Sequence, residues 1–182
     1  MNTSETWKDA AKIDAAIIDM ARELSELLSS RGIEHPLMVG IHTGGVWVAE
    51  RLHQLLSLEE SLGKLDISFY RDDFTRIGIN PVVKPSQLPE AVDGRHIILV
   101  DDVLQTGRTI RAALNELFDY GRPASVILAV LAQRGGRELP IEPNVTGLSG
   151  QPTNGQHIKL SGPDPLILIM DRERPKSSED KA

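Results

Sequence analysis

Between residues 36 and 132 short apolar runs alternate with amphipathic stretches, and that alternation restricts the fold more than any other feature of the chain. "PLMVGI" at 36–41, "KLDISFYR" at 64–71, "HIILVD" at 96–101 and "SVILAVLA" at 125–132 read as strands. Ile13, Ile17, Met20, Leu24, Leu27 and Leu28 recur at spacings of three and four, which predicts a long helix stopped near Gly32. "VWVAERLHQLL" predicts a second helix. Ile110, Ala113, Leu114, Leu117 and Phe118 predict a third, stopped by Gly121-Arg122-Pro123. Strands separated by helices imply βαβ units, hence an α/β fold with a mainly parallel central sheet and flanking helices.

The 182 residues suit a single domain, 1–182. Between Asp72 and Gly94 the periodicity is lost among prolines, glycines and mixed charges, so 72–94 is expected to be a long loop. Beyond Arg134 only short β-like pieces remain, near "NVTG", "HIKL" and "PLILIM". The charged tail, 171–182, is expected to fray. No cysteine is present, so disulfides and thiolate metal sites are excluded. The first residues lack a basic segment followed by an apolar one, and no apolar run approaches a membrane span. A cytoplasmic location without a membrane partner is therefore expected. A net charge of −6 gives no global field for nucleic acid, although a local basic patch could still form.

Parallel sheets bind ligands beyond the carboxyl ends of their strands. Two turns have suitable chemistry. "GIHTGG" at 40–45 has the opening spacing of a P-loop, but Val46-Trp47 stand where Lys and Ser/Thr are required, so an NTPase is rejected. Two glycines that simply let the chain turn into a helix remain an alternative. The second turn lies in "IILVDDVLQTGRT", 97–109. Thr106-Gly107-Arg108-Thr109 opens a predicted helix, where unpaired N–H groups favour an anion. Asp101 and Asp102, expected just beyond the strand, would repel that anion. They suit something attached to it, such as sugar hydroxyls or a bound Mg²⁺. The alternative is that one acid merely caps the turn.

This string closely resembles the phosphoribosyl pyrophosphate (PRPP) signature of the type I phosphoribosyltransferases. The resemblance implies that Asp101 and Asp102 bind the ribose hydroxyls. Asp101, Asp102, Val103, Leu104, Gln105, Thr106, Gly107, Arg108 and Thr109 would together form the PRPP and nucleotide site. "VGIHTGGVWVAERL", "DISFYRDD" and "LNELFDYGRPASVILAVLAQRGGRELPI", in that order, resemble the PyrR subfamily over roughly residues 10–170. That subfamily combines uracil phosphoribosyltransferase activity with control of pyrimidine operons through RNA.

The resemblance further implies the type I fold, with a flexible lid at about 72–94 and a small hood over the base at about 135–160. His42, Thr43, Gly44 and Gly45 would bind pyrophosphate, in a loop that often has a non-proline cis peptide. Arg71, Arg76 and Lys84 are candidates to reach pyrophosphate, Tyr70, Arg71, Asp72 and Asp73 match a family motif at the strand end, and Asp101, Asp102 and Arg71 are the implied catalytic residues. Mg²⁺ would accompany PRPP, with protein metal ligands left open. Implied partners are PRPP, uracil, UMP and UTP, pyr leader RNA and further copies of the chain.

Two departures stand out. Most relatives read "TRG" where Thr43-Gly44-Gly45 stands, so one charged pyrophosphate contact is lost. Relatives that bind attenuator RNA read "DRGHRELPI" and carry a basic residue after a later glycine. Here "QRGGRELPI" and Gly147-Leu148 keep Arg134 and Arg137 as RNA candidates but lack a His and a Lys. The competing readings are an enzyme making UMP, an RNA-binding regulator or nucleotide sensor with little catalysis, and a Mg²⁺-dependent phosphatase or receiver domain. The last leaves the Thr-Gly-Arg-Thr turn unexplained and would place its acids earlier in the chain.

Overall fold

The computed structural model describes residues 5–67, 86–88, 91–151 and 156–172. In chain order the elements are β1 (Glu5–Lys8), α1 (Ala10–Ser30), β2 (Leu37–Ile41), α2 (Gly44–Leu55), β3 (Gly63–Leu65) and β4 (His96–Leu104). They continue with α3 (Arg108–Asp119), β5 (Ser125–Arg134), β6 (Val145–Gly150), β7 (Gln156–Ser161) and β8 (Ile167–Arg172). The central sheet has the order β3-β2-β4-β5-β6, and every pairing in it is parallel. From β2 the chain runs outward to β3 on one side, then crosses back to β4 on the other. The direction of winding therefore reverses between β2 and β4.

Side chains alternate across the sheet, as a pleat with helices on both faces requires. On β4, Ile98 and Val100 join the core beneath α1 and α2, whereas Ile97 and Leu99 join the core beneath α3. On β5, Ile127, Ala129 and Leu131 take the first side, Leu128 and Val130 the second. Helix α1 buries Ile13, Ala16, Ile17, Met20, Ala21, Leu24 and Leu28 along one stripe. Each such buried Leu or Ile contributes about 1.5–3 kcal/mol. Arg31 caps the helix and Gly32 follows at φ +64°, so the expected stop holds.

Several sequence expectations need revision, among them the strand expected at 64–71, which is β3 at Gly63–Leu65 with Asp66 and Ile67 already outside it. No strand was expected near the N-terminus, yet β1 pairs antiparallel with β8, which also pairs with β7, in a second sheet ordered β1-β8-β7. Residues 135–160 are divided accordingly: β6 extends the main sheet, and β7 belongs to the small one. Asp171 and Arg172, expected to fray, form the end of β8 and pair with His157 and Gln156. The small sheet shares the core of α1 through Ile158, Leu160 and Leu168, and Trp7 lies close against Gly150 of β6.

The lid segment falls largely outside the described residues, as do Tyr70, Arg71, Asp72, Asp73, Arg76 and Lys84. The C-terminal end of that segment is anchored. Gln87 pairs with Lys64 on both sides at 2.7 Å, and Val92 is fully buried. Among the described residues no helix is long and apolar enough to cross a membrane.

Candidate functional site

The reversal of winding between β2 and β4 creates a crevice at their carboxyl ends, the place where open parallel sheets bind ligands. The two turns singled out in the sequence both open there. The β2–β4 ladder stops at Gly40–Val100, whereas β4 stays paired with β5 as far as Leu104–Gln133. Asp101 and Asp102 thus both lie inside β4, which runs to Leu104 and so extends past the expected end at Asp101. Val103 and Leu104 prolong the strand because each packs apolar surface, Val103 beside the α1 core and Leu104 buried in the α3 core. Their side chains are therefore committed to the interior, and only their backbone remains for a ligand.

Asp101 is 4% exposed, an unusual burial for a carboxylate. Its Oδ1 accepts the Asp102 N–H at 2.9 Å, and Asp102 Oδ1 accepts the Val103 N–H at 2.8 Å. The acids thus satisfy backbone donors on a strand edge that β2 has left.

The turn after β2 fits against them. His42 donates its N–H to Leu65 O at 2.9 Å, and the His42–Thr43 peptide is cis. The two glycines have separate reasons. A Cβ on Gly44 would fall 2.1 Å from Asp102 Oδ2, and one on Gly45 would fall 2.7 Å from Val100 O. Glycine is needed there for close approach to the acid-bearing strand, so the reading of an ordinary tight turn is too weak.

In the turn after β4, Gly107 is the N-cap of α3 at φ +90°, a conformation glycine adopts readily. Thr106 Oγ1 accepts the Arg108 N–H at 3.2 Å. Arg108 is exposed, and its Nε donates to Glu138 Oε2 at 2.5 Å, so the cation expected to face a phosphate is engaged by an acid. Thr109 lies in the first turn of α3. Gln105 and Thr106 are held from behind by residues 137–139. Arg137 Nη1 donates to Gln105 O, and the Glu138 and Leu139 N–H groups reach Thr106 O at 2.9 and 3.1 Å. The sequence reading missed Glu138 and Leu139, because a contact some thirty residues away leaves no local spacing.

Arg134 ends β5, and with Gln133, Arg137, Ser149 and Gln151 it borders a cavity of about 460 Å³ next to this turn. No cluster of three or more His, Cys, Asp or Glu able to hold a metal occurs among the described residues. The acid pair fits an ion such as Mg²⁺, which is commonly bound by one or two carboxylates plus substrate phosphates.

A parallel α/β sheet with an acid pair and two helix-opening turns at its switch point is the architecture in hand, and the family model described as a phosphoribosyl transferase domain matches residues 6–161. Solved structures share the fold. The hypoxanthine phosphoribosyltransferase of Trypanosoma cruzi superposes with a TM-score of 0.69 at 17% identity, covering 93% of this chain and 97% of that one. A purine phosphoribosyltransferase from Pyrococcus horikoshii gives 0.60 at 23% identity, covering 80% and 86%. Curated relatives are much nearer in sequence. The bifunctional protein PyrR of Pseudomonas paraeruginosa is 60% identical over 149 residues, 82% of this chain and 88% of that protein. That of Nitrosococcus oceani is 59% identical over 156 residues, 85% and 88%. The chain belongs to the PyrR family of phosphoribosyl transferase domain proteins.

Proposed function

We propose that this protein transfers the phosphoribosyl group of PRPP to uracil, giving UMP and pyrophosphate, and that the same site senses uridine nucleotides to regulate pyrimidine synthesis. The observation that carries this reading is the meeting of Asp101 and Asp102 with two helix-opening turns at one switch point. The α3 turn holds the 5′-phosphate, the acids orient the ribose hydroxyls, and His42–Gly45 receive pyrophosphate. Arg71, which lies outside the described residues, is assigned to the pyrophosphate by the family resemblance alone. The bond from ribose C1 to the pyrophosphate oxygen breaks with its electron pair leaving on oxygen, and a uracil ring nitrogen forms the new bond to C1 while its N–H proton passes to the departing pyrophosphate or to water. Positive charge on the ribose is stabilised by the nearby carboxylates, and catalysis rests on positioning and electrostatics without a covalent nucleophile. Asp101 and Asp102 would hold Mg²⁺ together with PRPP, and the ion would supply charge neutralisation for the departing pyrophosphate. The protein acts in the cytoplasm as a homo-oligomer. A transfer assay of PRPP against uracil, orotate, hypoxanthine and guanine tests the base assignment; turnover with a purine and none with uracil would overturn it.

A regulator that binds pyr leader RNA is the second reading, favoured by family membership. The positions that lack cations are structurally committed here. Gly136 sits at φ +102°, where a histidine side chain is strained, and Leu148 packs partly buried against the core. Arg137 is tied to Gln105. Leader RNA binding by this chain is therefore expected to be weaker than UMP binding and to show a shallow salt dependence. A salt titration against the pyrimidine leader RNA of the same organism checks it.

A further inference from the structure

We infer that Arg137 is a positioning residue for the nucleotide phosphate: it aims the donors of the phosphate turn by holding that turn's carbonyls from behind. The inference rests on the nucleotide reading of the Thr106–Thr109 turn. In a trans peptide the C=O and the following N–H lie in one plane and point in opposite directions. Arg137 Nη1 takes Gln105 O, and the Glu138 and Leu139 N–H groups take Thr106 O. Two successive carbonyls are thereby turned toward the 137–139 segment, and the N–H groups of Thr106 and Gly107 are sent the other way. Those donors precede α3, so they extend the positive end of the helix into the crevice.

The guanidinium is itself held in place. Nη2 meets Gln133 Oε1 at 3.3 Å, and Nε meets Glu142 Oε1 at 3.3 Å, so a planar fork spans the end of β5, the phosphate turn and the segment beyond. Its side chain is 20% exposed. Neighbouring contacts reinforce the clamp. Glu138 binds Arg108 in the first turn of α3, and Leu139 and Ile141 lie 3.4–3.6 Å from where a Cβ on Gly107 would stand. An arginine placed in this way serves the ligand through the backbone and does not touch it.

The test uses the full chain, with UMP measured by calorimetry and uridine by NMR titration, for the parent, Arg137→Ala and Arg137→Lys. Arg137→Ala is expected to weaken UMP about ten-fold, the scale of one lost hydrogen bond from a charged donor. Uridine, which lacks the phosphate, keeps its affinity. Arg137→Lys restores part of the loss, since an ammonium still donates to Gln105 O. The ratio between parent and Ala variant persists at 1 M salt, where attraction between separated charges is screened. An unchanged UMP affinity in the Ala variant, or an equal loss of UMP and uridine, overturns the positioning role while leaving the site assignment standing. A parent chain that binds no UMP overturns both, and is distinguishable because the failure precedes any substitution.

Discussion

Helix α1 and helices α2 and α3 begin in opposite ways. At α1 the chain caps itself: Asp9 precedes the helix in extended conformation, and its Oδ1 accepts the Lys12 N–H at 3.0 Å. At α2 and α3 the N-cap residues are Thr43 and Gly107, and neither makes a side-chain capping bond. None of the three helices carries an acid in its first turn. Every helix leaves its first N–H groups without intrahelical partners, and side chains or ligands must satisfy them. The capped helix follows directly on β1, outside the two turns that end β2 and β4. The other two start at the crevice: Thr43 and Gly107 give no side-chain cap, although at α3 Thr106 Oγ1 takes the Arg108 N–H. Under the proposed function the remaining donors of these two helix starts serve the anions of a ligand.

The largest expected effect comes from removing the acids that face the two open ends. Asp101→Asn with Asp102→Asn should abolish useful PRPP binding, a loss of at least about a hundred-fold if each acid makes one charge-assisted bond to the ribose. Asparagine keeps an oxygen for the Asp102 and Val103 N–H groups, so the unfolding midpoint should change little. Calorimetry with PRPP, beside a denaturant titration, measures both. A double variant that binds PRPP like the parent would show that the open ends work without the acids.

Gly107→Val acts on the α3 end alone. The nearest side-chain atom to a new Cβ is Leu139 Cβ at 3.4 Å, so crowding is mild. The strain lies in the backbone at φ +90°, where a β-branched residue costs roughly 1–3 kcal/mol or moves the turn. UMP and PRPP should lose affinity together, by about ten-fold or more, because both carry the 5′-phosphate. Retained UMP affinity would count against a phosphate cradle here.

How much of this was legible depends on distance along the chain. The turn before α3 was readable as a candidate site because strand, acid pair and helix start lie within thirteen consecutive residues, 97–109. The periodicities of α1 and α3 were readable for the same reason. Strand β1 was not, since four residues, ETWK, gain their ladder only from Leu168–Met170 at the far end of the chain. The continuation of β4 through its acids was hidden because carboxylates ordinarily mark the end of a buried strand, and only the ladder with β5 carries them. The contact from Arg137 to Gln105 was not legible, because sequence shows the charge of an arginine and not where its fork is engaged.

The glycines of the α2 end separate binding from folding on a smaller scale. Gly45→Ala would press a Cβ onto Val100 O and Asp101 Cα, which are backbone atoms of β4, and should destabilise the chain by roughly 1–3 kcal/mol in a denaturant titration. Gly44→Ala meets mainly the carboxylate of Asp102, which can rotate away. It should cost less stability and show itself as weaker PRPP binding. If the two variants lose stability equally and bind PRPP equally, the division of roles between the glycines is wrong.

The smallest effect lies at the capped end and sharpens the contrast most directly. The backbone hydrogen bond from Lys12 holds the Asp9 carboxyl below its usual value of 3.8, with the nearby lysine charges adding to it. A lowered folded-state pKa means that the charged cap stabilises the fold fully above the unfolded value and loses this contribution as pH falls through the folded one. Asp9→Ala should therefore lower the thermal midpoint slightly at pH 7. The difference from the parent should shrink once the pH drops below about 3.8, as the parent's own cap becomes protonated. Asp9→Asn, which keeps a capping oxygen, should lie close to the parent at neutral pH. UMP affinity should be the same in all three chains, because this helix end serves the fold alone. A change in UMP affinity on losing the Asp9 cap would mean that α1 is coupled to the crevice, and the contrast between closed and open helix ends would fail.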